Sequence, residues 1–183
     1  MLVVLSIVTA VLSAFLDNVT TVLIIVPLTF AVADAIKINA MPLLIAEVLF
    51  SNIGGTATLI GDPPNIMIGG ATHLDFMDFI GVNLPIVLVV SVVTFVLLRL
   101  IYYKKLMGFQ VDKEKIMAFD ETRTIRDKAF LVKTLIIFGL VIVAFMTHHL
   151  HGISLASVAI GGGFTLMMVT RQDPEEVLKE VEW

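Results

Sequence analysis

Asp17, Asn18, Thr20 and Thr21 stand in the middle of an otherwise apolar run from residue 2 to residue 33. A carboxylate, an amide and two hydroxyls so close together form a set of hard oxygen donors. Such a set suits a small cation such as sodium or, on the carboxylate, a proton. Ser13 lies one turn before Asp17 and faces the same way on a helix. A second apolar run, 41–72, is interrupted in the same manner: Ser51, Asn52, Thr56, Thr58, Asp62 and Asn65 supply polar side chains there. Gly54, Gly55 and Gly61 let backbone carbonyls approach a ligand. Glu47, one turn before Ser51, either feeds the same site or pairs with a basic residue elsewhere. Free amide ends at such breaks would suit an anion instead. The plainer role of Asp17 and Asp62 is to cap a helix, Asp62 ahead of Pro63-Pro64 especially.

The surroundings decide how much weight these residues carry. The chain has 183 residues, of which 58% are hydrophobic and 15% charged. A soluble domain is nearer half apolar and a quarter charged. The excess has nowhere to go in water and is accepted by a bilayer, where an ionisable side chain is costly and defaults to a functional candidate. The net charge of −4 argues for no nucleic-acid partner. Cysteine is absent, which removes disulfides, thiolate metal sites and cysteine nucleophiles. His148, His149 and His151 have crude metal-ligand spacing, but three histidines in an outer loop read as an interface. No metal and no cofactor is expected beyond sodium or a proton as coupling ion. No signal peptide is expected either, since the first charged side chain is Asp17 and the apolar run continues past it.

A bilayer core of about 30 Å takes about 20 helical residues. The run 2–33 is too long for one span and too short for two, and Asp17-Asn18 and Pro27 interrupt it. The economical solution is a re-entrant hairpin with Asp17-Asn18-Val19-Thr20 at its tip; the alternative is one long tilted span. The run 41–72 reads as two half-helices joined by an unwound segment, since Pro63-Pro64 removes amide donors and disfavours helix at Asp62. His73 to Asp78 is a polar connector. Residues 82–103 form a span anchored by Arg99, Tyr102, Tyr103, Lys104 and Lys105. Eight of the twelve basic residues fall between Lys104 and Lys133, which puts the 104–128 loop in the cytoplasm. Two spans, 129–147 and 153–170, are joined by His148–Gly152 on the far side. Ser157 with Gly161, and Ala159 with Gly163, offer small-residue spacing for close helix packing. Arg171 returns the chain to the cytoplasm, and Asp173-Pro174 starts a helix with an apolar stripe of Val177, Leu178 and Val181 in 171–183. The fold expected is all-α and integral to the membrane, with a core at 1–103 and the opening of a further set of helices at 129–170.

The strings SAFLDNVTTVLIIVPLTF (13–30) and AEVLFSNIGGTATLIGDPPNIMIG (46–69) resemble the arsenite-permease-like branch of the ion transporter superfamily. That branch groups arsenite permeases, NhaD-type sodium/proton antiporters and the melanosomal P protein, and the wording is nearest the P protein group. More distantly the strings resemble sodium symporters of divalent anions. The resemblance implies that the tip and the helix break bind the coupling ion beside the substrate. Asp17-Asn18-Val19 takes the place of a Ser-Asn-Thr tip, and residues 52–65 that of a Gly-Gly-Thr loop. Asp17 and Asp62 stand where the symporters carry hydroxyls, which favours proton or cation handling over dicarboxylates. The family has two inverted repeats, and this chain shows one hairpin and one break. It is therefore expected to be a fragment or one part of a split transporter, completed by a second repeat or a second copy, and a homodimer in the plasma membrane. The expected function is secondary transport of an inorganic ion: arsenite, chloride, or sodium against protons. A non-transporting truncation is the first alternative. An intramembrane aspartyl protease is the second, although its Gly-x-Gly-Asp signature finds Leu59 in the first glycine place.

Overall fold

The computed structural model describes residues 1–72, 74–106 and 128–179, and their regular structure is helical throughout. In chain order the helices are α1 (Leu2–Ser13), α2 (Asn18–Ile36), α3 (Met41–Gly55), α4 (Pro63–Thr72), α5 (Phe76–Leu106), α6 (Lys128–His151), α7 (Leu155–Thr170) and α8 (Pro174–Lys179). His73, residues 107–127 with Lys113, Lys115, Arg123 and Arg126, and residues 180–183 with Val181 lie outside the described residues. The helices fall into two units, Met1–Phe119 and Asp120–Trp183.

In the first unit the usual polarity of a helix is inverted. The buried residues of α1 are Leu2, Ser6, Thr9 and Ser13, spaced three and four apart on one stripe. Its opposite side is apolar and open, with Val4 63% and Ile7 56% exposed. On α2 the buried stripe includes Thr21, Ile25, Thr29 and Ala33. Water would drive the opposite arrangement. In lipid the tails are as apolar as valine, so small and hydroxyl side chains fill the helix contacts instead. Several hydroxyls satisfy themselves on their own helix: Thr9, Thr72, Thr147, Thr165 and Thr170 each donate to the carbonyl four residues back. Among the described residues, two helices are long and apolar enough to cross a bilayer, over Phe76–Tyr103 and Lys128–His148.

Both expected interruptions are present. The first apolar run breaks at residues 14–17, and α1 and α2 pack on each other as a hairpin. Its arms are unequal, with 12 and 19 residues. Pro27 does not interrupt α2, which continues through it to Ile36. The second run breaks at residues 56–62, between α3 and α4. The tip and this break pack together beneath α5, through Ala14, Ala57 and Val87 with Phe15 and Ile53.

Other boundaries differ from expectation for physical reasons. The connector before α5 shrinks to Leu74-Asp75 among the described residues, because the first turn buries Phe76 and Phe79. Asp78 then falls in that first turn, where the helix dipole favours an acid. In the second unit α6 runs through the histidines to His151 and stops at Gly152, whose φ is +64. His148 Nδ1 lies 2.8 Å from its own helix's Phe145 carbonyl oxygen. Gly162 is the close contact of α7 with α6, since a Cβ there would meet Val141 Cγ2 at 2.3 Å; Gly161 and Gly163 face open space. Asp173 caps α8 through the Glu175 amide, 2.9 Å away, with Pro174 in the first position.

The tightest contact in the first unit joins α1 to α3. A Cβ on Gly54 would lie 2.2 Å from the Ala10 carbonyl oxygen, whereas one on Gly70 meets nothing within 4 Å. The same change should therefore act in opposite directions at these positions. Gly54→Ala is expected to destabilise the detergent-solubilised chain by about 1–3 kcal/mol or more through overpacking. Gly70→Ala should be neutral, or stabilising by up to about 1 kcal/mol from helix propensity. Thermal unfolding of the two variants beside the parent checks both.

Candidate ion site at the hairpin tip and the helix break

A broken helix leaves carbonyls and amides without partners, and in a bilayer the protein must supply them. Here side chains do so across the two breaks. The Ser13 hydroxyl donates to the Ser51 carbonyl oxygen at 2.6 Å. The Thr58 hydroxyl donates to the Ala14 carbonyl oxygen, just past the end of α1, and accepts from the Gly61 amide at 3.1 Å. Asn65 spends its side-chain amide on the Gly55 and Thr58 carbonyl oxygens, at 3.1 and 3.0 Å. Asn18 Nδ2 donates to Asn52 Oδ1 at 3.0 Å and so joins the hairpin tip directly to α3. The glycines of the break allow this closeness. A Cβ on Gly61 would lie 2.5 Å from the Gly55 carbonyl oxygen and 2.7 Å from that of Ser13.

The predicted residues thus divide. Ser13, Asn18, Ser51, Asn52, Gly54, Gly55, Thr58, Gly61 and Asn65 meet where the tip packs on the break. Asp17 and Thr20 are engaged within the hairpin: Asp17 Oδ1 accepts from the Thr20 amide at 2.8 Å, and Oδ2 accepts from the Thr20 hydroxyl. Asp17 is accordingly the N-cap of α2. Thr56 donates to the Ile53 carbonyl oxygen on the exposed side of the break. Asp62 precedes α4, and its carbonyl oxygen accepts from the Asn65 amide at 3.0 Å. Among the described residues its carboxylate has no hydrogen-bond or ion-pair partner.

Thr21 is fully buried and its hydroxyl has no partner. Glu47 is also fully buried, one turn before Ser51 on α3. Its Oε1 accepts from the Thr29 hydroxyl, its Oε2 has no partner, and no basic side chain among the described residues pairs with it. The basic partner considered for Glu47 is therefore not there among those residues. Sequence reasoning passed over Ser6, Thr9 and Thr29, which complete the buried hydroxyl stripes of α1 and α2. Ser6 and Thr9 stand seven and four residues before Ser13, and Thr29 eight after Thr21, and that helical spacing carried the signal.

The two helix starts differ from an anion-binding helix terminus. An anion is held by free amides at a helix N-terminus. The start of α4 carries Pro63 and Pro64, which have no amide hydrogen, and the next amide, that of Asn65, is spent on Asp62. The start of α2 is capped by the Asp17 carboxylate. What both breaks leave over is oxygen: carbonyls, hydroxyls and carboxylates.

The sequence model of the citrate transporter family, CitMHS, matches residues 1–183. A 46 kDa membrane protein of Mycobacterium leprae is 41% identical over 174 residues, covering 93% of this chain and 40% of its own length. A protein of Mycobacterium tuberculosis described as an uncharacterized transporter is 40% identical over 183 residues, covering 100% of this chain and 42% of its own length. The human P protein is 44% identical over 110 residues, 57% of this chain and 13% of its own length. The chain thus spans about two fifths of the mycobacterial relatives. A match over every residue, on a helical chain with apolar outer faces and two breaks joined by side chains, establishes the family: the chain belongs to the CitMHS citrate transporter family and is an integral membrane protein of the transport class.

Proposed function

We propose that the chain carries one ion site of a secondary transporter, that the ion is a small cation, and that the cation is sodium or a proton. The observation that carries this reading is the chemistry of the two helix starts: at α4 two amides are deleted by proline and the next donates to the Asp62 carbonyl oxygen, and at α2 the Asp17 carboxylate caps the helix, while oxygen acceptors remain. Asp62 and the Asn18–Asn52 bridge are its nearest polar groups, and Glu47 exchanges the coupling proton. An isolated carboxyl at full burial is costly to ionise, so its protonation follows changes in its surroundings. A second repeat, or a second copy of the chain in a homodimer, completes the site. The basic loop faces the cytoplasm of a plasma membrane.

The family's description supports a second reading, with citrate as cargo. A bare citrate trianion would meet Asp17 and Asp62 here and no basic side chain among the motif residues, so on this chain it would need accompanying cations. Transport labels on the family and its relatives favour both readings over proteolysis.

Flux into proteoliposomes of the chain supplied with its second repeat separates these readings. Sodium-dependent proton movement is expected. Asp62→Ala should lower it by at least about tenfold, which is about 1.4 kcal/mol. Normal flux in both Asp62→Ala and Asp17→Ala would remove the site assignment, and labelled citrate uptake without any cation requirement would favour the anion. Glu47→Gln keeps the Thr29 contact and the volume, so it should fold normally. Its sodium flux is expected to lose its dependence on pH between the two sides; an unchanged pH profile would exclude Glu47 as the proton carrier.

A further inference from the structure

A cleft of about 310 Å³ opens between the helix break and the start of α5, lined by Thr56, Asn65, Asp78 and Asn83 with apolar Phe79 and Val82 among its walls. Several of its polar hydrogens are spent on backbone. The Thr56 hydroxyl is donated to the Ile53 carbonyl oxygen, and Asn65 gives its side-chain amide to two carbonyl oxygens of the break. Asn83 Nδ2 donates to the Phe79 carbonyl oxygen at 3.1 Å. Spending these hydrogens on backbone leaves the side-chain oxygens of Thr56, Asn65 and Asn83 as acceptors. Asp78, which also lines the cleft, is exposed, and among the described residues its carboxylate has no hydrogen-bond or ion-pair partner.

We infer that this cleft is a second binding site, for a hard monovalent cation of the sodium type. Three neutral oxygens and one carboxylate match a single positive charge. A calcium ion wants six to eight oxygens and usually several carboxylates, which this set does not offer. The volume admits the ion with part of its water shell, each water taking about 30 Å³. The cleft shares Thr56 and Asn65 with the helix break but draws its charge from α5, so a cation there is held independently of Asp17 and of the hairpin tip. The claim concerns equilibrium binding and does not require that the chain transports anything.

Equilibrium binding of radiolabelled sodium to the detergent-purified chain, in choline chloride at constant ionic strength, tests it. Saturable binding is expected, displaced by lithium and not by choline. Asp78→Asn should weaken it by about tenfold or more, and Asn83→Ala should weaken it less. Asp173→Asn, in the second unit, should leave this binding in place. Helical circular dichroism of each variant confirms that it is folded. The inference is overturned if the folded parent shows no saturable binding, if Asp78→Asn and Asn83→Ala both bind as the parent does, or if sodium is lost in Asp17→Asn and kept in Asp78→Asn. The last result assigns the ion to the tip and leaves the transport reading standing; loss in Asp78→Asn alone assigns it to the cleft and leaves the transport reading to the flux measurement.

Discussion

The contact of Gly54 with the Ala10 carbonyl oxygen is the constraint on which the rest of the first unit depends. It brings two helix backbones together with no side chain between them. Only at that separation can the Ser13 hydroxyl reach the Ser51 carbonyl and the Thr58 hydroxyl reach Ala14. These bonds satisfy the groups that the two interruptions expose. In a hydrocarbon surround no water would do so, and each unsatisfied group would cost several kcal/mol. The interruptions are thus mutually dependent: the end of α1 is completed by the break after α3, and the break is held by the end of α1 and by Asn65.

Chemical character follows from the same economy. Side-chain hydrogens are spent on carbonyl oxygens, and two prolines delete the amides at the start of α4. What remains directed outward is a set of oxygen atoms with two carboxylates near them. The buried hydroxyl stripes of α1 and α2 extend polarity along the hairpin toward Glu47, whose second oxygen has no partner. A polar interior under an apolar exterior is stable only where the outside is lipid.

Much of this was legible in the chain itself. Asp17-Asn18 and the run from Ser51 to Asn65 marked both breaks, because polar residues and a proline pair inside apolar stretches leave helix few options. The family followed from the same strings. Less legible were the partners. Nothing in the spacing says that Thr58 serves Ala14, 44 residues away, or that Gly54 faces Ala10. Those are tertiary contacts, and one sequence shows only local order. The glycines were read as space for a ligand, and the structure uses Gly54, Gly55 and Gly61 for backbone packing. Asp17 was open to two readings, ion ligand or helix cap, and it caps α2. Asp78 looked like connector, because the burial of Phe76 and Phe79 that winds it into α5 is not visible in polarity alone.

The central claim is that the hairpin tip and the helix break form one unit through Asn18 and Asn52. Because the chain has no cysteine, a designed pair would be its only thiols. Asn18→Cys with Asn52→Cys, oxidised in membranes, should lose access to a maleimide polymer and regain it on reduction. The single variant Asn18→Cys, with no second thiol to pair with, is the control and should stay reactive throughout. Full maleimide reactivity of the pair after oxidation, equal to that of the control, would contradict the account.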